Sequence, residues 1–349
     1  MSSLFLTGFP GNISRRLLPK LLKLYQWEKI ILLVKEELFE KARKTLEEIR
    51  RNELANEKLP EMEILKGDIT KKDLGLLKGT YDRVSQEADV YLNLASWDRL
   101  RGPWKTSFAV NYIGTVNLAE MALKNKNVKH FVHFSSIFVA GNYEGEFSEK
   151  DLDVGQKFRN PYEKSKFLAE KFLRKRADDL PITIFRPSIV VGSSKDGSID
   201  NFGPAYLFLK FVKNYPSWIP ITNPATERAF LNIVPIDYVV DASSVLLGFS
   251  GSIGKTYHLV DPSPPDAREA MEKIIELVKG KRTSWKAPKA VLKALAFFNK
   301  VELGILDYFE QRLRVKCEET MKDLEKYGVE VPTFNSYYRQ IVKYYLENA

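Results

Sequence analysis

The stretch LFLTGFPGNISRRLL, Leu4 to Leu18, passes from a short apolar run through two glycines into an amphipathic segment. Gly8, Gly11 and Ser14 are spaced three apart, as in the turn between the first strand and helix of a dinucleotide-binding βαβ unit. There the glycines let the backbone approach a pyrophosphate, and the helix N-terminus supplies N–H groups and a positive dipole. The stretch therefore predicts a parallel α/β sheet with a cofactor site at its first turn. The predicted phosphate-binding residues are Gly8, Gly11, Asn12 and Ile13.

The rest of the first half repeats this alternation of strand and helix. Apolar runs such as KIILLVK, ADVYLNLAS, VKHFVHFSS and ITIFRPSIVVG are separated by helical patterns. Such strands indicate a parallel sheet covered on both faces, a doubly wound α/β (Rossmann) fold. We expect an NAD(P)-binding domain over 1–190 and a smaller, mainly helical substrate-binding region over 191–349. A segment near 229–245 is expected to return to the first domain.

The composition limits the class of protein. The 349 residues are 44% hydrophobic and include one cysteine and three histidines, which predicts a globular chain without an internal disulfide or a metal site. The net charge of +9 fits nucleic acid, an acidic surface or an anionic ligand, but the cations lie in mixed runs such as EKARKTLEEIRRNE. Such runs are typical of solvated helix faces, so we expect no nucleic-acid partner. No signal peptide or apolar run of about 18 residues appears, which predicts a soluble, cytoplasmic protein.

The end of the second strand bears on the choice of cofactor. An acidic residue at this tip holds the ribose hydroxyls of NAD, whereas a cation accommodates the 2′-phosphate of NADP. The strand KIILLVKEE ends at Val34 and Lys35, and Arg15 with Arg16 follows the glycine turn. We therefore expect NADP rather than NAD, with Glu36 as the opposing signal.

A tyrosine and a lysine lie one turn apart in NPYEKSKFLAEKFLRKRA, residues 160–177. Asn160 predicts the helix N-cap, and winding the helix puts Lys166 inside its apolar stripe, on the side of Tyr162. A cation about 4 Å from a tyrosine lowers its pKa by up to about three units. Such a tyrosine exchanges a proton with a carbonyl oxygen while a nicotinamide moves the hydride. In FVHFSSIFVAG, Ser136 follows the fifth strand, where it could hold the substrate oxygen.

These motifs resemble the extended short-chain dehydrogenase/reductase family over most of residues 3 to 262. The resemblance rests on the glycine turn, NYIGTVNL (111–118), SSIFVAG, the tyrosine–lysine pair and FRPSIVVG. LTGFPG, RPSIVVG and NIVPIDYVVDA are more similar to its thioester-reductase and fatty-acyl-reductase branch than to the nucleotide-sugar epimerases. Two departures are Ser14, where the family usually has a third glycine, and GSSKDG, where the branch often has GDSxTG.

The resemblance implies roles for individual residues. Ser136 would bind the carbonyl oxygen, Tyr162 would be the general acid or base, and Lys166 would lower its pKa and contact the nicotinamide ribose. Further residues would contact or support the cofactor: Asp68 and Ile69 beside the adenine, Leu94 and Ala95 along the cofactor, Asn111 as a brace, and Pro187 with Ile189 beside the nicotinamide.

Three other segments are ambiguous. PKAVLKALAFFNKVELGILDYF, Pro288 to Phe309, is apolar and edged by lysines, which fits a packed helix or lid and, as the alternative, peripheral contact with a membrane. FGPAYLFLKFVKNYPSWIP is also apolar and suits a lipid-like substrate as well as core packing. The acidic segment YEGEFSEKDLD is expected to form a solvated loop.

The predicted function is an NADPH-dependent reductase acting on an apolar carbonyl or acyl-thioester small molecule. One alternative is a nucleotide-sugar epimerase or dehydratase with bound NAD, and another is a non-catalytic NADP-binding regulatory protein. The family resemblance makes a homodimer plausible.

Overall fold

The computed structural model describes residues 2–55, 57–100, 102–215, 223, 229–283, 308 and 311–349. Its strands are β1 (Ser2–Thr7), β2 (Trp27–Val34), β3 (Glu61–Lys66), β4 (Val90–Asn93), β5 (His130–Phe134), β6 (Gly145–Phe147), β7 (Ile182–Pro187), β8 (Ile189–Val191), β9 (Ile233–Pro235), β10 (Thr256–Leu259) and β11 (Leu313–Val315). Its α-helices are α1 (Asn12–Leu24), α2 (Phe39–Glu53), α3 (Lys78–Glu87), α4 (Trp104–Ser107), α5 (Gly114–Ala122), α6 (Pro161–Arg174), α7 (Leu207–Asn214), α8 (Ile236–Gly248), α9 (Ala267–Lys279), α10 (Glu318–Glu325) and α11 (Phe334–Asn348).

Seven strands form a parallel sheet in the order β10-β7-β5-β4-β1-β2-β3. The chain leaves β1 toward β2 and β3, then crosses to β4 and continues outward on the other side. This reversal leaves a crevice beyond the carboxyl ends of β1 and β4, where open α/β sheets bind their ligands. The predicted doubly wound fold is confirmed.

Alternating side chains build a core on each face of the sheet. Leu4 and Leu6 of β1 pack with helices α1, α2 and α8, whereas Phe5 between them packs with α3, α5 and α6. All three side chains are fully buried. The near-continuous apolar strands of the sequence therefore reflect a sheet with no solvent-facing side.

The C-terminal part of the chain contributes to both halves of the molecule. Helices α7, α9 and α11 form a separate apolar core. Helix α8 instead packs against the main sheet, and β10 is the edge strand beside β7. The division near residue 190 and the return near 229–245 stay predictions drawn from the sequence.

The acidic segment expected as a solvated loop is ordered and partly buried, so that expectation is wrong. Within it, β6 pairs in parallel with β11. Phe147 is fully buried, and Glu149 is 5% exposed. The Glu149 carboxylate accepts hydrogen bonds from the backbone N–H and the hydroxyl of Thr320. These partners lie far along the chain, where local sequence patterns give no signal of them.

The apolar segment Pro288 to Phe309 lies outside the described residues except for Tyr308. Within the described ranges, no helix combines the length and apolar character needed to cross a bilayer. Peripheral membrane contact, a cytoplasmic location and a homodimer stay predictions.

Candidate active site

At the two glycines of the turn after β1 there is no room for a side chain. Gly8 has a φ of +82°, and a Cβ there would lie 2.6 Å from the Leu94 carbonyl carbon and the Ala95 nitrogen. A Cβ on Gly11 would lie 2.8 Å from the Gly8 carbonyl oxygen, to which the Gly11 N–H donates at 2.9 Å. Glycine is therefore required at both positions, and the N-terminus of α1 is left open to a phosphate group.

Ser14 is buried in this turn rather than left at its surface. Its hydroxyl donates to the Gly8 carbonyl oxygen at 2.8 Å and lies 3.2 Å from the Gly11 carbonyl oxygen. The serine thus replaces the third glycine of the motif with a hydrogen bond that closes the turn.

A cavity of about 650 Å³ extends from this turn across the carboxyl ends of the strands to α6. Its volume and its glycine-lined wall fit a bound dinucleotide together with a small substrate. Most of the predicted site residues line it: Gly8, Gly11, Asn12, Ile13, Lys35, Ile69, Leu94, Ala95, Ser136, Tyr162, Lys166, Pro187 and Ile189. Arg15, Asp68 and Asn111 are not part of its lining.

Lysines occupy the end of the cavity beyond β2. Lys35 and Lys41 both line this end, and Lys35 Nζ lies 3.5 Å from Asp68 Oδ2. Burial favours a raised pKa for Asp68, but hydrogen bonds from Thr70 and the charge of Lys35 hold its pKa below the ordinary value. Sequence reasoning missed Lys41, whose only signal was its place in the first turn of α2.

Glu36, the residue that favours NAD over NADP in the sequence, does not line the cavity. Its carboxylate accepts a 2.7 Å hydrogen bond from Lys66. Glu37 lines the same end as the two lysines, and Asp68 lies beside Lys35, so basic and acidic side chains are both present there.

Arg15 and Arg16 make ion pairs within the protein. Arg15 Nη1 lies 2.6 Å from Asp200 Oδ1, and Arg16 bonds the other carboxylate oxygen. Asp200 belongs to the segment between β8 and α7, so these pairs join that segment to the start of α1. The expected contact of Arg15 with the cofactor stays a prediction.

Helix α6 begins where the sequence indicated. The Asn160 side chain accepts a 3.0 Å hydrogen bond from the Glu163 N–H, and Pro161 occupies the first turn. This N-cap sets the helix phase, which places Tyr162 and Lys166 at the cavity. Lys166 is 2% exposed, as its place in the apolar stripe predicted.

The Lys166 ammonium donates a 2.7 Å hydrogen bond to the carbonyl oxygen of Phe134 at the end of β5. Burial lowers the pKa of Lys166 to about 8, although the charges of Asp98 and Glu170 act to raise it. The lysine is thus held at the same strand end that carries Ser135 and Ser136.

The expected lowering of the Tyr162 pKa by Lys166 is not found in this arrangement. Burial raises the pKa of Tyr162 well above its ordinary value, the neighbouring Ser136 hydroxyl acts to lower it, and the charge of Asp98 raises it further. The sequence argument placed the lysine correctly but omitted desolvation, which outweighs a nearby charge at a buried site. It also missed Asp98, an exposed carboxylate that lines the cavity.

Ser136 lies at the mouth of β5, as predicted. Its hydroxyl accepts a 3.3 Å hydrogen bond from the Phe138 N–H, and it lies 3.5 Å from the Pro187 carbonyl oxygen. The side chain is held between two strand ends with its oxygen at the cavity.

A buried ionic network lies behind Ser136. The neighbouring Ser135 hydroxyl donates to Glu170 Oε2 at 2.8 Å, and Arg186 forms two hydrogen bonds with the Glu170 carboxylate at 2.5 and 3.0 Å. Arg186 Nη1 also lies 2.9 Å from His258 Nε2. Glu170 and Arg186 are fully buried. Sequence reasoning missed this network, because nothing in the local pattern links β7 and β10 to α6.

Asn111 lies outside the cavity lining and connects two segments of the site. Its Oδ1 accepts a 2.8 Å hydrogen bond from the Trp97 N–H, and its Nδ2 donates to Ser165 Oγ at 2.9 Å. The amide therefore ties the loop after β4 to α6. This geometry suits a brace, the role that the family resemblance implies.

Tyr308 joins a late part of the chain to the start of α6. Its hydroxyl accepts from Asn160 Nδ2 at 2.8 Å and donates to Glu163 Oε1 at 2.7 Å. Its ring lies 4.6 Å from the ring of Phe138, centroid to centroid, in an edge-on contact. Tyr308 lines the cavity and contacts both segments that carry candidate catalytic residues.

The described residues contain no group of three or more histidine, cysteine or acidic side chains placed to hold a metal ion. His133 is instead part of a buried polar chain, in which its Nδ1 lies 3.2 Å from Asn93 Nδ2 and Thr7 donates to Asn93 Oδ1.

Residues 6–243 match the model of an NAD-binding family described as male sterility protein. A carboxylic acid reductase from Segniliparus rugosus is 28% identical over 221 residues, which are 58% of this chain and 18% of that protein. Fatty acyl-CoA reductase wat from Drosophila melanogaster is 26% identical over 274 residues, 68% of this chain and 52% of that protein. The chain thus spans between about a fifth and a half of the curated relatives named here.

Among solved structures, the terminal R domain from the myxalamid PKS-NRPS biosynthetic pathway superposes with a TM-score of 0.82 at 24% identity. The superposition covers 100% of this chain and 91% of that domain. At this level of identity the likeness is one of fold alone.

Proposed function

The chain belongs to the male sterility protein family, on the thioester-reductase and fatty-acyl-reductase branch of the extended short-chain dehydrogenases/reductases, and from this premise we propose that it is an NADPH-dependent reductase of an apolar acyl thioester or aldehyde. One observation carries the proposal. Ser136, Tyr162 and Lys166 line the same cavity as the glycine turn.

Each residue of the trio has a chemical task in this proposal. When bound, the nicotinamide supplies the hydride that reaches the carbonyl carbon. The Ser136 hydroxyl holds the carbonyl oxygen, and Tyr162 gives its proton to that oxygen as negative charge develops there. Lys166, one helical turn after Tyr162, would supply positive charge beside the tyrosine and would bind the nicotinamide ribose.

The two substrate types give different products. An aldehyde takes one hydride and one proton and becomes an alcohol. An acyl thioester takes one hydride and one proton, its carbon–sulfur bond breaks, and an aldehyde and a thiol leave the site. Tyr162 serves both reactions because each develops charge on the same oxygen.

Two features support NADP as the cofactor. Lys35 and Lys41 line the adenosine end of the cavity, and Glu36 is held by Lys66 outside it. A 2′-phosphate there would lie beside two cations, which favours NADP, while Glu37 at the same end is the acidic side chain that would favour NAD.

The lining of the substrate end supports an apolar substrate. Leu100, Phe138 and Ile199 line the cavity on this side together with Tyr308. These side chains offer hydrocarbon contacts that suit an acyl chain, while Ser96, Asp98 and Asn201 are polar members of the same lining.

NADPH oxidation with octanoyl-coenzyme A and with octanal tests the proposal. We expect turnover with at least one of them, and Tyr162→Phe should reduce kcat at least about 100-fold. Tyr112→Phe is the matched control, because Tyr112 lies outside the cavity lining. No turnover with NADPH binding intact would overturn the proposal, and NAD(H) retained through purification would favour the nucleotide-sugar alternative.

If wild type and Tyr162→Phe support the same biological activity, the regulatory alternative replaces the reductase. Ser136→Ala provides an independent check, since it removes the group that holds the oxygen and leaves the tyrosine in place.

A further inference from the structure

A second, smaller cavity of about 50 Å³ lies between α7, α9 and α11. Ile189 and Ala205 line both this cavity and the large one. The two cavities therefore adjoin at these side chains, close to the strand end that borders the predicted nicotinamide site.

The described walls of the small cavity are apolar. Leu209, Met271 and Ile341 line it and are each at most 5% exposed. The hydroxyls of two lining tyrosines already have partners, since Tyr337 donates to the Ile233 carbonyl oxygen at 2.9 Å and Tyr206 accepts from the Gly192 N–H at 2.8 Å. Such a cavity suits a hydrocarbon group.

The path from the catalytic tyrosine to this cavity is also apolar. Tyr162, Ile189 and Ala205 pack against the same apolar cluster, which is built largely from α7, α9 and α11. Tyr162 and the two side chains that line both cavities are therefore joined by one apolar cluster.

We propose that the small cavity binds the distal end of an acyl chain whose reacting carbonyl lies at Tyr162. This inference rests on the proposed function and deepens it, because it names a chain-length-dependent substrate and the residues that measure its length. A volume of 50 Å³ has room for roughly three or four water-sized groups, and hence for only the last few carbons of the chain.

A series of acyl-coenzyme A thioesters from butanoyl to dodecanoyl tests the inference in wild type. Each methylene that enters the cavity should raise kcat/KM by up to about fourfold, and the increase should stop once the cavity is full. A kcat/KM that does not change with chain length would overturn the inference.

Two variants move this limit in opposite directions. Leu209→Phe fills the cavity, so the limit should shift to shorter chains while kcat/KM for the butanoyl thioester stays unchanged. Met271→Ala enlarges it and should shift the limit to longer chains. Met121→Ala is the matched control, because Met121 is fully buried in a different core and should leave the chain-length profile as in wild type. Identical profiles in all four proteins would overturn the inference.

The chain-binding site can be tested even if the proposed reductase activity is not found. If wild type reduces no thioester or aldehyde, calorimetry with alkyl carboxylates of the same lengths still measures the cavity. Affinity that rises with length and shifts in Leu209→Phe and Met271→Ala would support the chain-binding site. Affinity that ignores both substitutions would overturn it.

Discussion

The Tyr308 hydroxyl donates a 2.7 Å hydrogen bond to Oε1 of Glu163, a fully buried residue in the first turn of the helix that carries Tyr162. The same hydroxyl accepts from the Asn160 N-cap. A residue late in the chain therefore holds the N-terminus of α6 in place.

For Tyr308→Phe we expect kcat to fall about tenfold and stability by about 1–3 kcal/mol, because Glu163 loses a buried hydrogen bond. KM for NADPH should not change, since the hydrogen bonds of the Tyr308 hydroxyl go to the start of α6 and not to the glycine turn. Steady-state kinetics and urea unfolding measure these effects. Tyr25→Phe is the control, as it removes a similar bond to the Ser244 carbonyl oxygen away from the site. Equal loss of kcat in both variants would contradict a positioning role for Tyr308.

Lys166 should make activity and stability respond to pH in opposite ways. Its pKa in the fold is about 8, below the ordinary value of 10.5. The charged form prevails below pH 8, so kcat/KM should decline as the pH rises through this value. A pH profile of kcat/KM measures the decline, and a profile that rises across pH 8 would contradict it.

The same lowered pKa makes charged Lys166 a cost to the fold. This cost is fully present below about pH 8 and disappears as the pH rises toward 10.5, where the unfolded chain also loses the proton. Lys166→Met should therefore be inactive yet more stable at pH 7 by up to about 3 kcal/mol. Unfolding at pH 7 and pH 10 tests this, with the exposed Lys164→Met as control. If the difference in stability between wild type and Lys166→Met does not change with pH, charged Lys166 is not the cause of the cost.

The buried ion pair between Glu170 and Arg186, behind Ser136, should make a large contribution to the free energy of unfolding. Burial favours a raised pKa for Glu170, but Arg186, Arg174 and Ser135 hold its pKa below the ordinary value. Glu170→Ala leaves Arg186 buried without its carboxylate and should destabilise the protein by about 3–5 kcal/mol. For comparison, Glu47→Ala removes an exposed partner of Arg43, and this solvent-screened pair should contribute little to stability. Similar urea midpoints for the two variants would rule out this prediction.

The stabilising effect of Glu170 should also depend on pH. Because its folded pKa is lowered, the contribution is present above the ordinary pKa of 4.5 and is lost as the pH falls through the folded value. The stability difference between wild type and Glu170→Ala should therefore narrow below pH 4.5.

Lys35 should set the preference between the two nicotinamide cofactors. Lys35→Ala removes a cation from the adenosine end of the cavity, so kcat/KM for NADPH should fall about 10- to 100-fold while that for NADH is unchanged. Lys66→Ala is the control, because Lys66 pairs with Glu36 and lies outside the cavity lining. An equal loss with both cofactors would show that Lys35 serves the fold rather than the 2′-phosphate.

The parts of the site that could be predicted depend on local signals. The glycine turn, the Asn160 cap and the placement of Lys166 one turn after Tyr162 are each encoded within a few residues. Once the order of the strands is known, these segments meet at one edge of the sheet.

The parts that could not be predicted depend on distant pairs. Glu149 meets Thr320 across 171 positions, and Tyr308 meets Glu163 across 145. The sequence around each of these four residues contains no pattern that indicates its partner. The predicted lowering of the Tyr162 pKa is wrong for another reason. Burial, which raises this pKa, depends on the packing of the whole site rather than on the spacing of two residues.

Strands β10 and β11 also restrict how such a chain can be recombined with its relatives. They come from the last third of the sequence, yet β10 completes the edge of the main sheet and β11 pairs with β6. A chimera joined at residue 190 would therefore inherit a sheet from one parent and its edge from the other. Exchange of the cofactor half should succeed only when both C-terminal strands are transferred with it.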